Sequence, residues 1–362
     1  MINLICESVN WSIDESANQQ IKYFNKKRKK GVFKMAGIIF SGMRPTGKLH
    51  LGNYLGALEN WVKLQKEYKC FFGVVDLHAL TTGYNDIKDL KENISEMLID
   101  WFSAGIDPEK STVLIQSYVP EHAELHLLFS MITPLPWLER NPVLKEQVRD
   151  LGLKDNISYG LLGYPVLMAS DILIYKANVV PVGEDQIHHV ELTREIARRF
   201  NNLYKNIFPL PQVKLTKVPR LPGTDGKRMS KSLGNTISIS DLPEKIEEKV
   251  KTMITDTKKI RLNDLGHPDI CVVFTYQEIF NPAQSEEISV GCKSGKLGCV
   301  DCKKRLTQVL INKFDGFRKK RSYYEKNPKI IKEIVIEGSK KARQTAKQTL
   351  NEAKKAMNLY YE

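Results

Sequence analysis

The sequence predicts an α/β protein: a parallel-sheet domain followed by a mostly helical C-terminal domain. Two observations carry this. From residue 36 to about 235, short apolar runs alternate with helical stretches, and from about 240 onward amphipathic helical segments take over. Alternation of strand and helix signals means a parallel sheet with helices on both faces. A length of 362 residues suits about two domains, each burying its own core.

Residues 1–35 are polar and end in the basic run Lys26-Lys27-Arg28-Lys29-Lys30. Three readings stand for this extension: a nucleic-acid-binding arm, a disordered tail, or a segment lying ahead of a natural start at Met35. Strands are expected at Ile38–Ser41, Cys70–Val75, Thr112–Gln116 and Val179–Val182, with helices near 51–67, 87–104, 121–131, 142–151, 158–176 and 184–200. Residues 209–236, with Pro209, Pro211, Pro219 and Pro222, read as a long polar connector, and connectors of that length are usually functional or disordered. Beyond it, 244–258, 303–322 and 328–358 read as amphipathic helices. The domain boundary is placed at 238/239.

Composition is that of a globular protein, with 42% hydrophobic and 27% charged residues. No stretch approaches the ~18 apolar residues of a membrane helix. No apolar signal core opens the chain, and Glu7, Asp14 and Glu15 are unlike an acid-poor transit peptide, so a cytoplasmic address without membrane attachment is expected. The net charge of +13 is unevenly placed: residues 303–362 hold 17 basic and 6 acidic residues, whereas 36–302 hold 31 and 33. A solvated helical face and a phosphate-backbone partner both account for the basic C-terminal part.

Cys271, Cys292, Cys299 and Cys302 fall within about 30 residues in a C-x20-C-x6-C-x2-C pattern, with Gly291, Gly295 and Gly298 permitting tight turns. Four thiolates suit zinc, and independent thiols are the metal-free alternative.

The candidate nucleotide site is the stretch Ser41-Gly42-Met43-Arg44-Pro45-Thr46-Gly47-Lys48-Leu49-His50-Leu51-Gly52-Asn53. A buried strand, a Gly/Pro turn and a helix start receive phosphates, because helix N-termini offer unpaired N–H groups and glycines let the backbone approach. His78 (after Asp76-Leu77) and Gly183-Glu184-Asp185-Gln186 also follow predicted strands, and ligands gather at the carboxyl ends of strands in such sheets. Farther on, Tyr164, Met168 and Asp171 share one face of a predicted helix. A carboxylate on an apolar face needs a partner. It is either a paired structural Asp or the acceptor in a pocket for a flat apolar ligand with one N–H or O–H, a description that an indole meets.

His50-Leu51-Gly52-Asn53 and Arg228-Met229-Ser230-Lys231-Ser232, in that order and about 175 residues apart, resemble the HIGH and KMSKS signatures of class I aminoacyl-tRNA synthetases. Asn53 stands in place of the second His and Arg228 in place of the first Lys. With the 160–175 helix, Val179–Gln186 and His189–Arg194, the chain from Phe40 to about 236 resembles the tryptophanyl-tRNA synthetase family, and the resemblance resumes weakly in Gly338–Leu359. That resemblance implies a Rossmann-like catalytic domain over 36–238, a helical anticodon-binding domain over 239–362, a homodimer, and three substrates: L-tryptophan, ATP with Mg²⁺, and tRNA(Trp). It implies that His50, Asn53, Arg228 and Lys231 serve catalysis. Arg44, Pro45, Thr46, Gly52, Asn53, Lys145, Gly183, Glu184, Asp185, Leu221 and 228–232 would contact ATP. Asp171 would accept the indole N–H, Tyr164 and Gln186 would hold the amino-acid head group, and Phe40, His78, Met168, Val180 and Val182 would line the pocket. Gln147 stands where some relatives carry a second Lys. Some bacterial members, the Thermotoga kind among them, hold a [4Fe–4S] cluster on nearly the cysteine spacing seen here, so the resemblance favours iron–sulfur over Zn²⁺.

Overall fold

Five parallel strands, β1 (Ile38–Met43), β2 (Lys69–Val74), β3 (Ser111–Ile115), β4 (Val179–Val182) and β5 (Gln212–Leu215), form one sheet in the order β3-β2-β1-β4-β5. This is the strand order of a Rossmann-like sheet, whose direction of winding reverses between β1 and β4. The computed structural model describes residues 35–150, 152–153, 156–215, 221–261 and 263–359. The readings for residues 1–34 lie outside that range, as does the side chain of Ser232.

Side chains alternate across the strands, and each face of the sheet builds its own core. Ile39, Cys70, Phe72 and Val74 enter one cluster, where Trp61 stacks on Phe72 at 4.6 Å and meets Trp101 edge-on at 5.0 Å. Phe40, Phe71 and Val75 enter the other, where Tyr175 stacks on Phe71 at 4.3 Å and on Phe40 at 5.5 Å. Both faces are buried, which is why the strands read as continuous apolar runs rather than alternating ones.

The structure departs from the expected elements in several places. The connector contains β5, which pairs Val180 with Val213; its residues are mostly exposed at the sheet edge, so no apolar run marks it. The helix expected over 303–322 is two, Cys299–Lys313 and Asp315–Lys326, broken at Phe314. That ring packs edge-on to Tyr54 at 5.2 Å, so the break drives it into the core. Helices Asp76–Gly83, Leu135–Glu139, Val272–Phe280 and Ser285–Lys293 are additional. Val272–Phe280 is buried on most sides, and so lacks the single apolar stripe by which a surface helix is recognised.

The last helix, Pro328–Ala356, lies along β3 and closes that edge of the sheet. Its backbone is so close there that a Cβ on Gly338 would stand 2.0 Å from the carbonyl oxygen of Val113. Ser339 Oγ accepts the N–H of Ile115 at 3.2 Å, and Arg343 pairs with Glu121 at 2.9 Å. Edge strands need such a cover because their unpaired groups template association.

Candidate functional site

The two signature loops meet. Leu51 N–H donates to Ile237 O at 2.9 Å and Ile239 N–H to Leu49 O at 3.0 Å, stitching the first loop to the segment after the second. Lys231 Nζ donates to Thr46 O, and Met229 is buried against Gly52, where a Cβ would lie 3.4 Å from its sulfur and 3.0 Å from the His50 ring. Leu221 is buried in the same cluster. Arg228 remains exposed.

His50 and Asn53 form a reciprocal cap at the start of helix Leu51–Asn53: Asn53 N–H donates to His50 Nδ1 at 3.3 Å, and His50 N–H to Asn53 Oδ1 at 3.2 Å. Burial, and then the nearby Lys231 charge, lower the His50 imidazole to about pKa 4. The ring is therefore neutral at physiological pH, and with Nδ1 accepting, its proton sits on Nε2 as a donor. The same loop is braced from below. Leu49 N–H donates to Asp100 Oδ2 at 2.7 Å, and Asp100, fully buried, is paired by Arg321 from the helix Asp315–Lys326. Arg321 also pairs with Glu96 at 2.5 Å and Glu325 at 3.0 Å.

Beside this loop a cavity of about 270 Å³ opens at the carboxyl ends of β1 and β4, the reversal point where such sheets receive ligands. Phe40, His78, Tyr164, Met168, Asp171, Val180, Val182 and Gln186 all line it, as do Arg44 and Gly183. Lys145, Glu184 and Asp185 are exposed and do not line it, nor do Pro45, Thr46, Gly52 and Asn53, which belong to the loop next to it. Gln147, two residues past Lys145, does face the cavity, with a buried Oε1 that has no protein partner.

Asp171 is 1% exposed and held by three donor side chains. Gln116 Nε2 lies 2.7 and 2.9 Å from its two oxygens, His122 Nδ1 2.6 Å from Oδ1, and His78 Nε2 2.9 Å from Oδ2. His122 Nε2 in turn meets the Tyr175 hydroxyl at 2.7 Å. Burial alone would raise this carboxyl, but His122 and His78 overcome it and hold it at about 2. The result is an ionised carboxylate in an apolar wall, able to accept a donor and to donate nothing. Gln116 and His122, which hold Asp171, are marked by no sequence motif. They follow β3, so the rule that ligands gather beyond strand ends is the one signal that points at them.

The four cysteines of the spaced motif line one small cavity together with Asp256, Phe274, Leu297 and Gly298. Two glycines make room: a Cβ on Gly266 would stand 2.3 Å from Cys292 Sγ, and Gly295 (φ +75°) passes close to Asn263 O. Burial raises the Cys302 thiol to about 12, against a hydrogen bond from Gln277 at 3.8 Å. Among the described residues, no set of three or more His, Cys, Asp or Glu side chains is arranged to hold a single metal ion.

A class I tRNA synthetase (W and Y) family model matches residues 34–315. This chain belongs to that family. A tryptophan–tRNA ligase of Thermotoga maritima is 49% identical over 330 residues, spanning 89% of this chain and 99% of the relative. One from Aquifex aeolicus is 45% identical, again over 89% of this chain and 99% of its own. The solved tryptophanyl-tRNA synthetase of Campylobacter jejuni, complexed with ADP and tryptophan, superposes with a TM-score of 0.80 at 34% identity, covering 89% of this chain and 99% of that one. Within this class I synthetase, the loop pair and the cavity thus stand side by side at the reversal point of the sheet.

Proposed function

We propose that this synthetase activates L-tryptophan with ATP and transfers it to tRNA(Trp). The observation that carries the choice of amino acid is Asp171: an ionised, acceptor-only carboxylate in a cavity wall shared with Phe40, Met168, Val180 and Val182 fits the lone N–H of an indole. Tyr164 and Gln186 hold the head group, and Phe40, His78, Met168, Val180 and Val182 pack on the ring. The ATP triphosphate lies along the paired loops, with Arg44, the Nε2–H of His50, the Asn53 amide, Arg228 and Lys231 as donors. Pro45, Thr46, Gly52, Gly183, Leu221, Met229, Ser230 and Ser232 supply backbone and surface there, and the exposed Lys145, Glu184 and Asp185 complete the ATP contacts in this proposal. A carboxylate oxygen of tryptophan attacks the α-phosphorus in line and pyrophosphate leaves. A ribose hydroxyl at the tRNA 3′ end then attacks the acyl carbon and AMP leaves. No side-chain nucleophile is needed, since the chain supplies positioning and donors aimed at the developing charge. Mg²⁺ bound with the phosphates would neutralise part of that charge.

Tyrosine is the competing amino acid, because the family spans both specificities. ATP–pyrophosphate exchange with each amino acid separates them: exchange with tryptophan and little with tyrosine is expected, and the reverse would overturn the assignment.

We extend the proposal to the cysteine cavity, where Cys271, Cys292, Cys299 and Cys302 would hold a [4Fe–4S] cluster. Support comes from four thiols around one enclosed space, with glycines at the closest approaches. A bound cluster supplies visible charge-transfer absorbance and a rigid cross-link among the elements carrying its ligands. Anaerobic purification is expected to yield iron and sulfide in equal amounts with that absorbance, lost in Cys299→Ser; stoichiometric zinc in their place would overturn this reading. Residues 239–362 form the tRNA-facing part in this proposal, with a basic surface that suits the anticodon arm. The homodimer belongs to it as well, since Leu127, Met131 and Leu135 present an exposed apolar face. The solution mass tests that point. None of the described helices is long and apolar enough to cross a membrane, and a cytoplasmic address agrees with the substrates.

A further inference from the structure

The second signature loop is closed by a residue that lies past the signature itself. Asn235 is 3% exposed. Its Oδ1 accepts Ser230 N–H at 2.8 Å, and its Nδ2 donates to Arg228 O at 3.0 Å and to Asp225 Oδ1 at 2.8 Å. Its backbone carbonyl accepts Thr224 N–H at 2.9 Å. Ser230 N–H can only donate and Arg228 O can only accept, so the orientation of the Asn235 amide is settled. Gly223 leaves it room, since a Cβ there would stand 2.3 Å from Nδ2.

One side chain thus grips the two peptide groups that flank Met229 and ties them to Asp225, on the limb by which the chain enters the loop. That limb is fixed from outside. Tyr276, fully buried on the helix Val272–Phe280, donates its hydroxyl to Pro222 O at 2.7 Å, and Ile254 N–H donates to Thr224 O at 2.9 Å. Beyond Ser230 the chain makes a single turn, Lys231–Leu233, which ends at Gly234 with φ +65°. Lys231 therefore follows directly on the peptide that Asn235 holds, and its Nζ reaches Thr46 O on the first loop. The hydrogen bond from Asn235 also holds the Asp225 carboxyl below its ordinary value of 3.8, so Asp225 is ionised at neutral pH.

We propose that Asn235 is a positioning residue: it sets the shape of the Arg228–Ser230 peptide and so aims the Lys231 ammonium group at the first loop. The inference rests on the reading of Lys231 as a donor to the charge that develops on the phosphates. It deepens that reading by naming what holds the cation in place, since a flexible four-carbon stem on a loose loop would sample many positions. A buried amide with both donors and its acceptor engaged fixes the direction of the peptide groups it binds, which an apolar contact does not.

Asn235→Asp keeps the shape and the acceptor for Ser230 N–H, but it removes both donors and sets a second carboxylate against Asp225 and Arg228 O. It is expected to slow tryptophanyl-adenylate formation by roughly 10- to 100-fold, the scale of a misplaced group, while leaving tryptophan affinity within about twofold. Adding Asp225→Asn restores a donor between the two positions and should recover part of the rate. A normal rate in Asn235→Asp, an equal loss of tryptophan affinity, or no recovery in the double variant would each overturn the proposal. Hydrogen exchange of the unsubstituted chain does not depend on how the variants fold. The Thr224 and Ser230 amides are expected to be protected, and exchange at the rate of an open loop would overturn the role of Asn235. If the unsubstituted chain forms no adenylate from tryptophan, the reading of the function fails. If it does, and Lys231→Ala slows the step while Asn235→Asp does not, only the role of Asn235 fails.

Discussion

Lys231→Ala is expected to slow tryptophanyl-adenylate formation by roughly 10²–10³-fold, the usual cost of removing one donor aimed at developing charge. Tryptophan affinity should be nearly unchanged. Lys231 stands at the loop junction, with its Nζ on Thr46 O, and it does not line the amino-acid cavity. Burial lowers its ammonium group below the ordinary value of 10.5, partly offset by Asp100, and the contact with Thr46 O leaves it at an exposed position where it can exchange that carbonyl for an anion. Pre-steady-state measurement of adenylate formation, set beside equilibrium binding of tryptophan, separates the two effects. Equal losses in both would assign Lys231 to ground-state binding and end the transition-state role.

Arg321→Ala is expected to cost roughly 3–5 kcal/mol of stability near neutral pH, because it strands a buried carboxylate without its cation. Asp100 is fully buried, and its other oxygen is already committed to Leu49 N–H. The sign of the pH dependence follows from Asp100 itself. Burial raises its folded value from 3.8 to about 6, against the opposing pull of Arg321 and the Leu49 N–H. Stability held through the protonated form is therefore present below 3.8 and lost as pH rises through about 6. Removing Arg321 moves the folded value further up. The deficit of the variant should accordingly be largest above pH 6 and shrink as acid lets Asp100 take up a proton. Denaturant titrations at several pH values read this directly, and a deficit independent of pH would show that Arg321 acts by packing alone. Since Leu49 precedes His50, the variant should also loosen the loop that carries His50.

Much of the site is legible in the sequence alone. Phe40, Met168, Val180 and Val182 stand at strand ends or on a helix face that apolar periodicity marks, and all four line the cavity. The lone Asp171 on that helix announces a polar purpose, because an unpaired buried carboxylate is too costly to keep. Its partners are not legible. Gln116 and His122 lie 55 and 49 residues away in the chain, so only the folded sheet brings them together. Strand β5 goes unmarked for a simpler reason: an exposed edge strand needs no hydrophobic pattern. The Arg321–Asp100 pair spans 221 residues, and a buried arginine within a basic helix is indistinguishable in sequence from its solvated neighbours.

The helix that closes the β3 edge is made long after the strand it covers. Ile115 and Ser339 are 224 residues apart, so at a synthesis rate of about 5–20 residues per second β3 waits roughly 10–45 seconds for its partner. During that interval the growing chain carries a parallel sheet with one bare margin, open to any other extended peptide. Gly338 cannot meet Val113 until the helix Pro328–Ala356 has left the ribosome, so the β3 edge is covered long after the strand itself is made. Chaperone protection of the nascent chain would matter most over that window, and it should become dispensable once residues beyond about 345 are free to dock.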